Sequence, residues 1–298
     1  MAISSALGSS ALLPAGLGFR NVLINGGFDV WQRGTSGFTI TSSVYTSDRW
    51  KCQIPTSGSV TQETSDIPIG FRYAWKYAST GSNSFMQAGQ QIEFSNCYQT
   101  QNKQIIISFY GKALNTNSGS TALTVRTRTI AGVDGTCIFS GTNSDSSITL
   151  TTSWVRYQVT RTLPLSFGSL SLEFALGSHV SGDGILITGV QLEQNLQPTP
   201  FEQRPIGIEL ALCQRYFFKF VSAGISYLSF QYAGTQYRLT LPHPVQMRVA
   251  PHTVSTSTWQ GGTTPTLGVP SFFATNWSTS NGWFYINEST SIEVSAEL

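Results

Sequence analysis

The residues of this 298-residue chain that could do chemistry are few, and none of them forms a recognised catalytic motif. The sequence has no GxSxG elbow, no Walker loop, no GxGxxG after a strand and no HExxH pair, so nucleophilic triads, nucleotide sites and zinc sites have no support. The three histidines have no acidic or cysteine neighbour at ligand spacing. We therefore predict a structural role for His179, His243 and His252.

Acidic residues could still form a glycosidase pair, because the two carboxylates of such a site meet in space and not in sequence. The candidates are Asp29, Asp48, Glu173, Asp183, Glu193 and Glu202. Most of them are expected to be solvated residues on strand faces. The sequence thus predicts a protein that is not an enzyme, without catalytic residues, metal or cofactor. A calcium ion held by Asp29 and Glu193 is a weaker hypothesis than a surface pair of strand residues.

Composition excludes several classes of partner. The net charge is only +2, so the chain lacks the basic field that drives binding to nucleic acid or to anionic membranes. Residues 1–20 carry no Lys or Arg before Arg20 and are broken by Gly, Ser and Pro, which makes a poor signal peptide and no membrane span. We predict a soluble protein made in a cytoplasm. Its cysteines, which lack metal-ligand spacing, are predicted to be buried free thiols: Cys52, Cys97, Cys137 and Cys213.

Aromatic residues give the clearest indication of a binding surface. Four tryptophans lie in the first two thirds of the chain, where large rings normally fill a core: Trp31, Trp50, Trp75 and Trp154. Others lie near the end beside Asn, Ser, Thr and Gly: Trp259, Trp277, Trp283 and Tyr285. Rings on polar loops can stack on sugar faces, so this second group is a candidate receptor or glycan contact. A satellite core or a subunit interface is the alternative.

Alternation of apolar and polar residues indicates the elements that would position these side chains. Leu170, Leu172 and Phe174 alternate with polar or small residues, as do Val155 and Tyr157, and turn-rich stretches separate such runs. Many short strands separated by turn-rich stretches are typical of a β-sandwich or jelly roll. The pattern therefore predicts an antiparallel β-protein.

Proline and helix signals divide the chain. Three prolines in 197–205 cannot lie in a central strand, so we place a boundary there. A helix is predicted over 207–218, with Ile208, Leu212 and Tyr216 on its buried face. The predicted class is all-β: an extended N-terminal arm (1–20), an antiparallel jelly-roll β-sandwich (21–204), a short helical linker (205–220) and a second, smaller β-sandwich domain (221–298).

Several short segments of the sequence resemble segments that recur in one family of known proteins. They are GLGFRNVLINGGFDVWQRG (16–34), YTSDRW (45–50), QIIISFYGKA (104–113), ITGVQLEQNLQPTPFEQRP (187–205), RPIGIELALCQRYF (204–217), MRVAP (247–251) and SAEL (295–298). Scattered over nearly the whole chain, they resemble a family of bacteriophage virion proteins, chiefly tail-fibre or tail proteins.

The resemblance implies a virion component whose first domain is a carbohydrate-binding-module-like jelly roll, often trimeric in fibres. The leading hypothesis is a tail-fibre or receptor-binding subunit: a homotrimer that contacts other virion proteins through its arm and attaches the particle to host cell-surface glycans. A capsid-decoration or head-fibre structural protein without receptor binding is the alternative, and a polysaccharide depolymerase comes third. Calcium-binding relatives often carry an acidic pair where this chain has Gly189, Val190 and Gln191, which weakens the calcium hypothesis.

Overall fold

The structure is a computed structural model, and it describes residues 19–40, 42–221, 230–233, 236–250, 253–256, 260–261, 266–267, 274–279, 284–285 and 291–298. Side chains are described for 19–40, 42–220, 242–250 and 291–298. Within these ranges, no helix has both the length and the apolar character needed to cross a membrane.

In the part of the chain that the structure describes, twelve strands between Phe38 and Glu193 form two facing antiparallel sheets. They are β1 (Phe38–Ile40), β2 (Ser43–Tyr45), β3 (Lys51–Gln53), β4 (Gly58–Glu63), β5 (Ala74–Ser79), β6 (Met86–Ile92), β7 (Gln104–Ala113), β8 (Ala122–Ile130), β9 (Thr142–Thr149), β10 (Val155–Thr162), β11 (Ser169–Leu176) and β12 (Gly184–Glu193). Sheet A has the order β1-β4-β5-β12-β7-β10, and sheet B has the order β2-β3-β6-β11-β8-β9. Because the chain crosses repeatedly between the sheets, the architecture is a jelly-roll β-sandwich, which confirms the predicted fold class.

The core lies between the two sheets and follows the alternation of the sequence. Inward side chains of β7 and β11 are buried, and the rings of Phe109 and Phe174 meet at 4.8 Å between centroids. Trp50 and Trp75 are fully buried in the same cluster, as predicted. A buried aromatic ring removes about 150–250 Å² from water, so these residues supply much of the hydrophobic stabilisation of the sandwich.

Helices are short and lie between strands. They are α1 (Phe94–Cys97), followed by a 3₁₀ turn (Tyr98–Thr100), α2 (Ser118–Thr121) and α3 (Ile206–Gln214). Helix α3 confirms the predicted helix, although it ends at Gln214 instead of at 218.

The predicted buried face of α3 is wrong in part. Ile208 is 42% exposed, whereas Glu209 is buried. The Glu209 carboxylate accepts a hydrogen bond from the backbone N–H of Asn25, so the helix docks on the sandwich through a polar contact as well as through Leu212 and Tyr216. An apolar periodicity cannot reveal a contact of this kind.

Further antiparallel strands follow the helix: β13 (Phe217–Val221), β14 (Phe230–Ala233), β15 (Gln236–Pro242), β16 (Thr253–Thr256), β17 (Gln260–Gly261), β18 (Thr266–Leu267), β19 (Ala274–Thr279), β20 (Phe284–Tyr285) and β21 (Ser291–Ser295). They pair in the orders β13-β21-β16, β14-β15-β19-β18 and β17-β20. The division of the chain into the four predicted domains stays a prediction.

A cluster of buried charges, which we call the junction cluster, joins the end of β21 to the sandwich. Glu297 pairs with Arg33 at 3.1 Å and also with Arg49. The Arg33 guanidinium lies 3.5 Å over the ring of Phe217, and that of Arg49 lies 3.6 Å over the ring of Tyr216. Because each guanidinium has both a carboxylate and an aromatic face as partners, the cluster can remain charged although it is removed from water.

Asp48 borders the junction cluster and should make stability depend on pH. Burial raises the pKa of its carboxyl to about 6, although Arg33 and two hydrogen bonds from Gln32 oppose the shift. A raised native pKa means that the stabilising contribution is complete below pH 3.8 and is lost as the pH rises through 6. We expect Asp48→Asn to gain about 2 to 3 kcal/mol relative to the parent between pH 4 and pH 7, on top of a constant offset. Urea unfolding of both proteins across this range measures the difference, and parallel curves would contradict it.

Candidate functional site

The predicted aromatic receptor contacts fall largely outside the described part of the molecule. Trp259 and Trp283 lie outside the described residues. Trp277 lies in β19, where its backbone pairs with Leu239 and Leu267, and Tyr285 lies in β20; the side chains of both lie outside the described set. Their role therefore stays a prediction.

The outer face of sheet A is closed over its central strand. The outward side chains of β12 are at most 2% exposed: Leu186, Thr188, Gln191 and Glu193. Two segments, 64–73 and 194–204, cover them. The rings of Phe71 and Phe201 lie 5.2 Å apart, and Gln203 Nε2 donates a 2.7 Å hydrogen bond to the carbonyl of Gly70. The two segments thus form one roof over this face.

Trp154 lies at the margin of this roof, and its predicted place in the core is wrong. The ring is half-buried, and its Nε1 donates to Asp66 at 3.0 Å, with Lys112 on the other carboxylate oxygen. Val155 pairs with Gly111, which faces the core, so the residue before it faces outward. The alternation of β10 contained this signal, because Trp154 has the same parity as the outward Arg156.

Sheet B presents a polar row near the Leu176 end of β11, whereas the outward Ser169, Ser171 and Glu173 toward its other end are fully buried. One row of cross-strand neighbours runs across five of its strands: Gln53, Gln87, Ala175, Thr124 and Ser147. Ala175 is only 7% exposed because the longer side chains of Gln87 and Thr124 flank it. The row is therefore lowest at Ala175, and side chains with amide or hydroxyl groups stand on both sides of it.

A second row, next to the first, carries the charges. It contains Lys51, Gly89, Glu173, Arg126 and Asp145. A Cβ on Gly89 would lie 2.5 Å from the carbonyl oxygen of Leu172 and 2.7 Å from Cγ of Glu173, so only glycine lets Glu173 lie flat here. Together the two rows form a groove over β11, which we call furrow B.

A loop pinned to the sheet closes one end of furrow B. Glu173 is fully buried and accepts hydrogen bonds from Arg128 Nε at 3.0 Å and from the backbone N–H of Phe139 at 2.8 Å. The Gln91 amide donates to the carbonyl of Gly135 at 2.8 Å and accepts from the N–H of Cys137 at 3.1 Å. Phe139 has φ of 61°, a left-handed conformation that is unusual for a bulky residue and is held by these contacts.

The expectation that most candidate carboxylates are solvated is wrong. Asp48, Glu173, Asp183 and Glu193 are all at most 2% exposed, because each accepts hydrogen bonds from nearby backbone or side-chain donors. Asp29 lines a cavity of about 190 Å³ beside Arg72 and Glu209, where burial and the neighbouring Glu209 raise its pKa. Carboxylates in this chain serve mainly to satisfy buried donors.

Glu193 is not placed to share a calcium ion with Asp29. Its carboxylate accepts from the backbone N–H of Thr199 at 2.8 Å and from the Thr199 hydroxyl, so its oxygens are used by the roof segment. Among the described residues, no group of three or more His, Cys, Asp or Glu side chains could hold a metal ion.

Histidine and cysteine side chains are buried where they are described. His179 contacts the Tyr77 hydroxyl through Nε2 and the Gly177 carbonyl through Nδ1, both at 2.7 Å, which fits the predicted structural role. His243 is buried, and His252 lies outside the described residues. All four cysteines are buried free thiols, as predicted. Burial raises the thiol pKa well above its ordinary value, and Cys213 shows this most clearly.

Comparison with known proteins gives likeness of structure only. No protein family matches the sequence, and no curated protein matches it either. The enzymatically active domain of a bacteriophage CBA120 tailspike protein is 16% identical over 59% of this chain and 22% of its own, with a TM-score of 0.41. A family 61 carbohydrate-binding module bound to β-1,4-galactotriose is 14% identical over 59% and 100%, with a TM-score of 0.37. A xylan-binding family 22 module from Paenibacillus barcinonensis is 14% identical over 58% and 93%, with a TM-score of 0.35.

The residues of furrow B offer amide, hydroxyl, ammonium and guanidinium groups along its sides. Its floor is low at Ala175, and the side chain of Glu173 lies over Gly89. Such a groove can exchange water for the hydroxyls of an extended polar ligand, since each side chain donates or accepts in several directions.

Proposed function

We propose that this chain is a bacteriophage virion protein of tail-fibre type that attaches the particle to host surface glycans through furrow B. The resemblance of its sequence patches to phage tail and tail-fibre proteins supports the virion assignment. In this proposal the chain acts as a homotrimer, its N-terminal arm contacts other virion proteins, and Trp259, Trp277, Trp283 and Tyr285 add aromatic contacts to the host surface.

The observation that carries the binding proposal is the polar row of sheet B. Its amide and hydroxyl side chains flank the low Ala175: Gln53, Gln87 and Thr124 are half-buried, and Ser147 is exposed. Single glycan contacts of this kind are weak, and several copies on one particle would raise the overall affinity by avidity. Open polar side chains in a groove therefore fit a multivalent attachment protein.

A structural virion subunit without receptor binding is the second candidate, and exposed apolar residues favour it. Ile69 is 102% exposed, and Ile206 and Ile208 at the start of α3 are 56% and 42% exposed. Ile206 and Ile208 lie two residues apart at the start of one helix, and an exposed apolar patch of this kind suits a contact with another virion subunit. A polysaccharide depolymerase has less support, because Glu173 and Asp145, the carboxylates on furrow B, are each paired with an arginine.

Filling the furrow should abolish glycan binding. In Ala175→Trp the indole would occupy the low centre between Gln87 and Thr124, so we expect binding to fall at least tenfold. The matched control is Ala78→Trp, which adds the same ring to an outward, half-buried alanine of sheet A. Both variants should unfold at temperatures close to that of the parent, since both rings point toward solvent.

The measurement is binding of the purified chain to an array of immobilised bacterial surface polysaccharides. Loss of signal in Ala175→Trp with retention in Ala78→Trp supports furrow B as the site. Equal signal in all three proteins would remove furrow B from the proposal. A parent protein that binds no polysaccharide at all would overturn receptor binding and leave the structural role.

A further inference from the structure

Strand β9 is an exposed edge of sheet B. It lies last in the order of that sheet and, among the described residues, pairs only with β8, in a register that runs without a shift from Thr142 to Thr149. Ser146 and Ile148 are half-buried, and the other residues of the strand are exposed. A flat edge of this kind presents unpaired backbone N–H and C=O groups, which are a template for a strand from another chain.

The other edges of the two sandwich sheets carry features that discourage such pairing. Strands β1 and β2 are only three residues long, and β10 carries two arginines, Arg156 and Arg161. Short strands and charged side chains are the usual protection of a sheet edge. Strand β9 has neither, because its one charged residue, Asp145, is bound by Arg126 through two hydrogen bonds of 2.8 Å.

The side chains of β9 suit antiparallel pairing with β9 of a second copy. Asp145 and Ser147 lie on the outer face of sheet B, in the two rows of furrow B. Residues directly opposite each other in an antiparallel pair lie on the same face, and a two-fold axis at Ser146 satisfies this by placing Asp145 of each copy opposite Ser147 of the other. The serine hydroxyl can then donate to the carboxylate. An axis at Asp145 would instead place two carboxylates opposite each other, which is destabilising.

We propose that β9 is an interface between two copies of this chain, which pair antiparallel about Ser146 and join their B sheets into one continuous sheet. The contact is isologous, because the same strand serves both copies. Main-chain hydrogen bonds supply most of the affinity, as in other cases of strand addition. The rows of furrow B continue from one copy into the other at this contact.

This interface goes beyond the proposed function and does not depend on it, because it requires no glycan. A two-fold contact doubles whatever assembly the rest of the chain forms, so it is compatible with the proposed homotrimer.

Ser146→Cys tests the partner and the register together. An axis at this residue brings the two new thiols directly opposite each other, at a Cα separation of about 4.5 to 5.5 Å that a disulfide can span. The native cysteines are all buried free thiols, so the new thiol is the one available for oxidation between copies. Under mild oxidation we expect a covalent dimer of Ser146→Cys on a non-reducing gel.

Thr142→Cys is the matched control for the cross-link. It lies on the same strand, is exposed and has the same parity as Ser146, but it is near the end of β9 and does not face its own copy in this register. It should stay uncross-linked. Equal cross-linking of the two variants would overturn the register, and the absence of a covalent dimer from Ser146→Cys would overturn the interface.

Charge substitutions at Ser147 test the pairing without a covalent bond. Ser147→Asp puts a carboxylate opposite Asp145 of the second copy at two symmetric places, so we expect self-association to weaken about tenfold. Ser147→Lys puts an ammonium group there and should strengthen self-association. Thr160→Asp, which adds the same charge to an exposed position of β10, should associate like the parent.

Sedimentation equilibrium over a series of protein concentrations measures these differences. The parent should approach twice the mass that it has at high dilution. A parent whose mass does not change with concentration, or equal self-association of Ser147→Asp and Ser147→Lys, would overturn the proposed interface.

Discussion

Replacement of Arg49 by methionine is expected to destabilise the protein by about 3 to 5 kcal/mol, the usual cost of removing one partner from a buried ion pair. The Arg49 side chain is 1% exposed, pairs with Glu297 and donates a 2.6 Å hydrogen bond to the carbonyl of Gln91. Methionine fills much of the volume but leaves that carbonyl without its donor and removes half of the charge that faces Glu297. The stacking on Tyr216 is lost as well.

Urea unfolding measures this cost, with Lys76→Met as the control. Lys76 also pairs with a glutamate, but its side chain is 34% exposed, so we expect less than about 1 kcal/mol there. The double variant Arg49→Met with Glu297→Gln should cost less than the sum of the two single variants, because the two residues share one interaction. A cost for Arg49→Met no greater than that for Lys76→Met would show that the junction cluster does not stabilise the fold.

Glu173→Gln should cost about 3 to 4 kcal/mol and should also free the loop that closes furrow B. The glutamine amide carries an NH₂ group in place of one carboxylate oxygen. This NH₂ donor then faces the Nε–H of Arg128 or the N–H of Phe139, which both donated to the carboxylate. Phe139 holds its left-handed conformation through this contact. Without it, residues 131–141 should open, and the end of the furrow should lose its wall.

Two readouts separate stability from loop release. Urea unfolding gives the free energy, and limited proteolysis under native conditions should cut the variant within 131–141 at least tenfold faster than the parent. Asp145→Asn is the matched control on the same sheet, because the exposed Arg126–Asp145 pair holds no backbone N–H of this loop. We expect it to cost less than about 1 kcal/mol and to leave the proteolysis rate unchanged. Identical cleavage rates in Glu173→Gln and the parent would contradict the pinning role.

Much of the sandwich was predictable because its strands alternate strongly. β7 and β11 carry inward residues at every second position, and the two-residue period directly assigns each side chain to a face. Trp154 was predicted in the core from its residue type and lies at the surface, which agrees with the parity of the outward Arg156. Local periodicity is thus a better guide to the faces than residue type.

The candidate site was not predictable, because it depends on contacts between distant parts of the chain. Glu173 is held by Phe139 and Arg128, which lie 34 and 45 residues away, and Arg49 meets Glu297 across 248 residues. Whether an outward strand residue is solvated depends on which loop covers it. The covered and the accessible parts of the outer sheet faces have similar strand patterns, so periodicity cannot tell them apart.

The position of β12 in sheet A also constrains how the chain can fold during synthesis. This strand lies between β5 and β7, yet it is the last strand of the sandwich in the chain. Until about residue 193 emerges from the ribosome, β5 and β7 keep the hydrogen-bonding edges that β12 will occupy, and unpaired edges of this kind recruit strands from other chains. Because the roof segment 194–204 follows β12 directly, the step that completes sheet A also brings its cover into place. The nascent chain is therefore most prone to aggregation just before β12 emerges from the ribosome. That risk ends once segment 194–204 has emerged behind it.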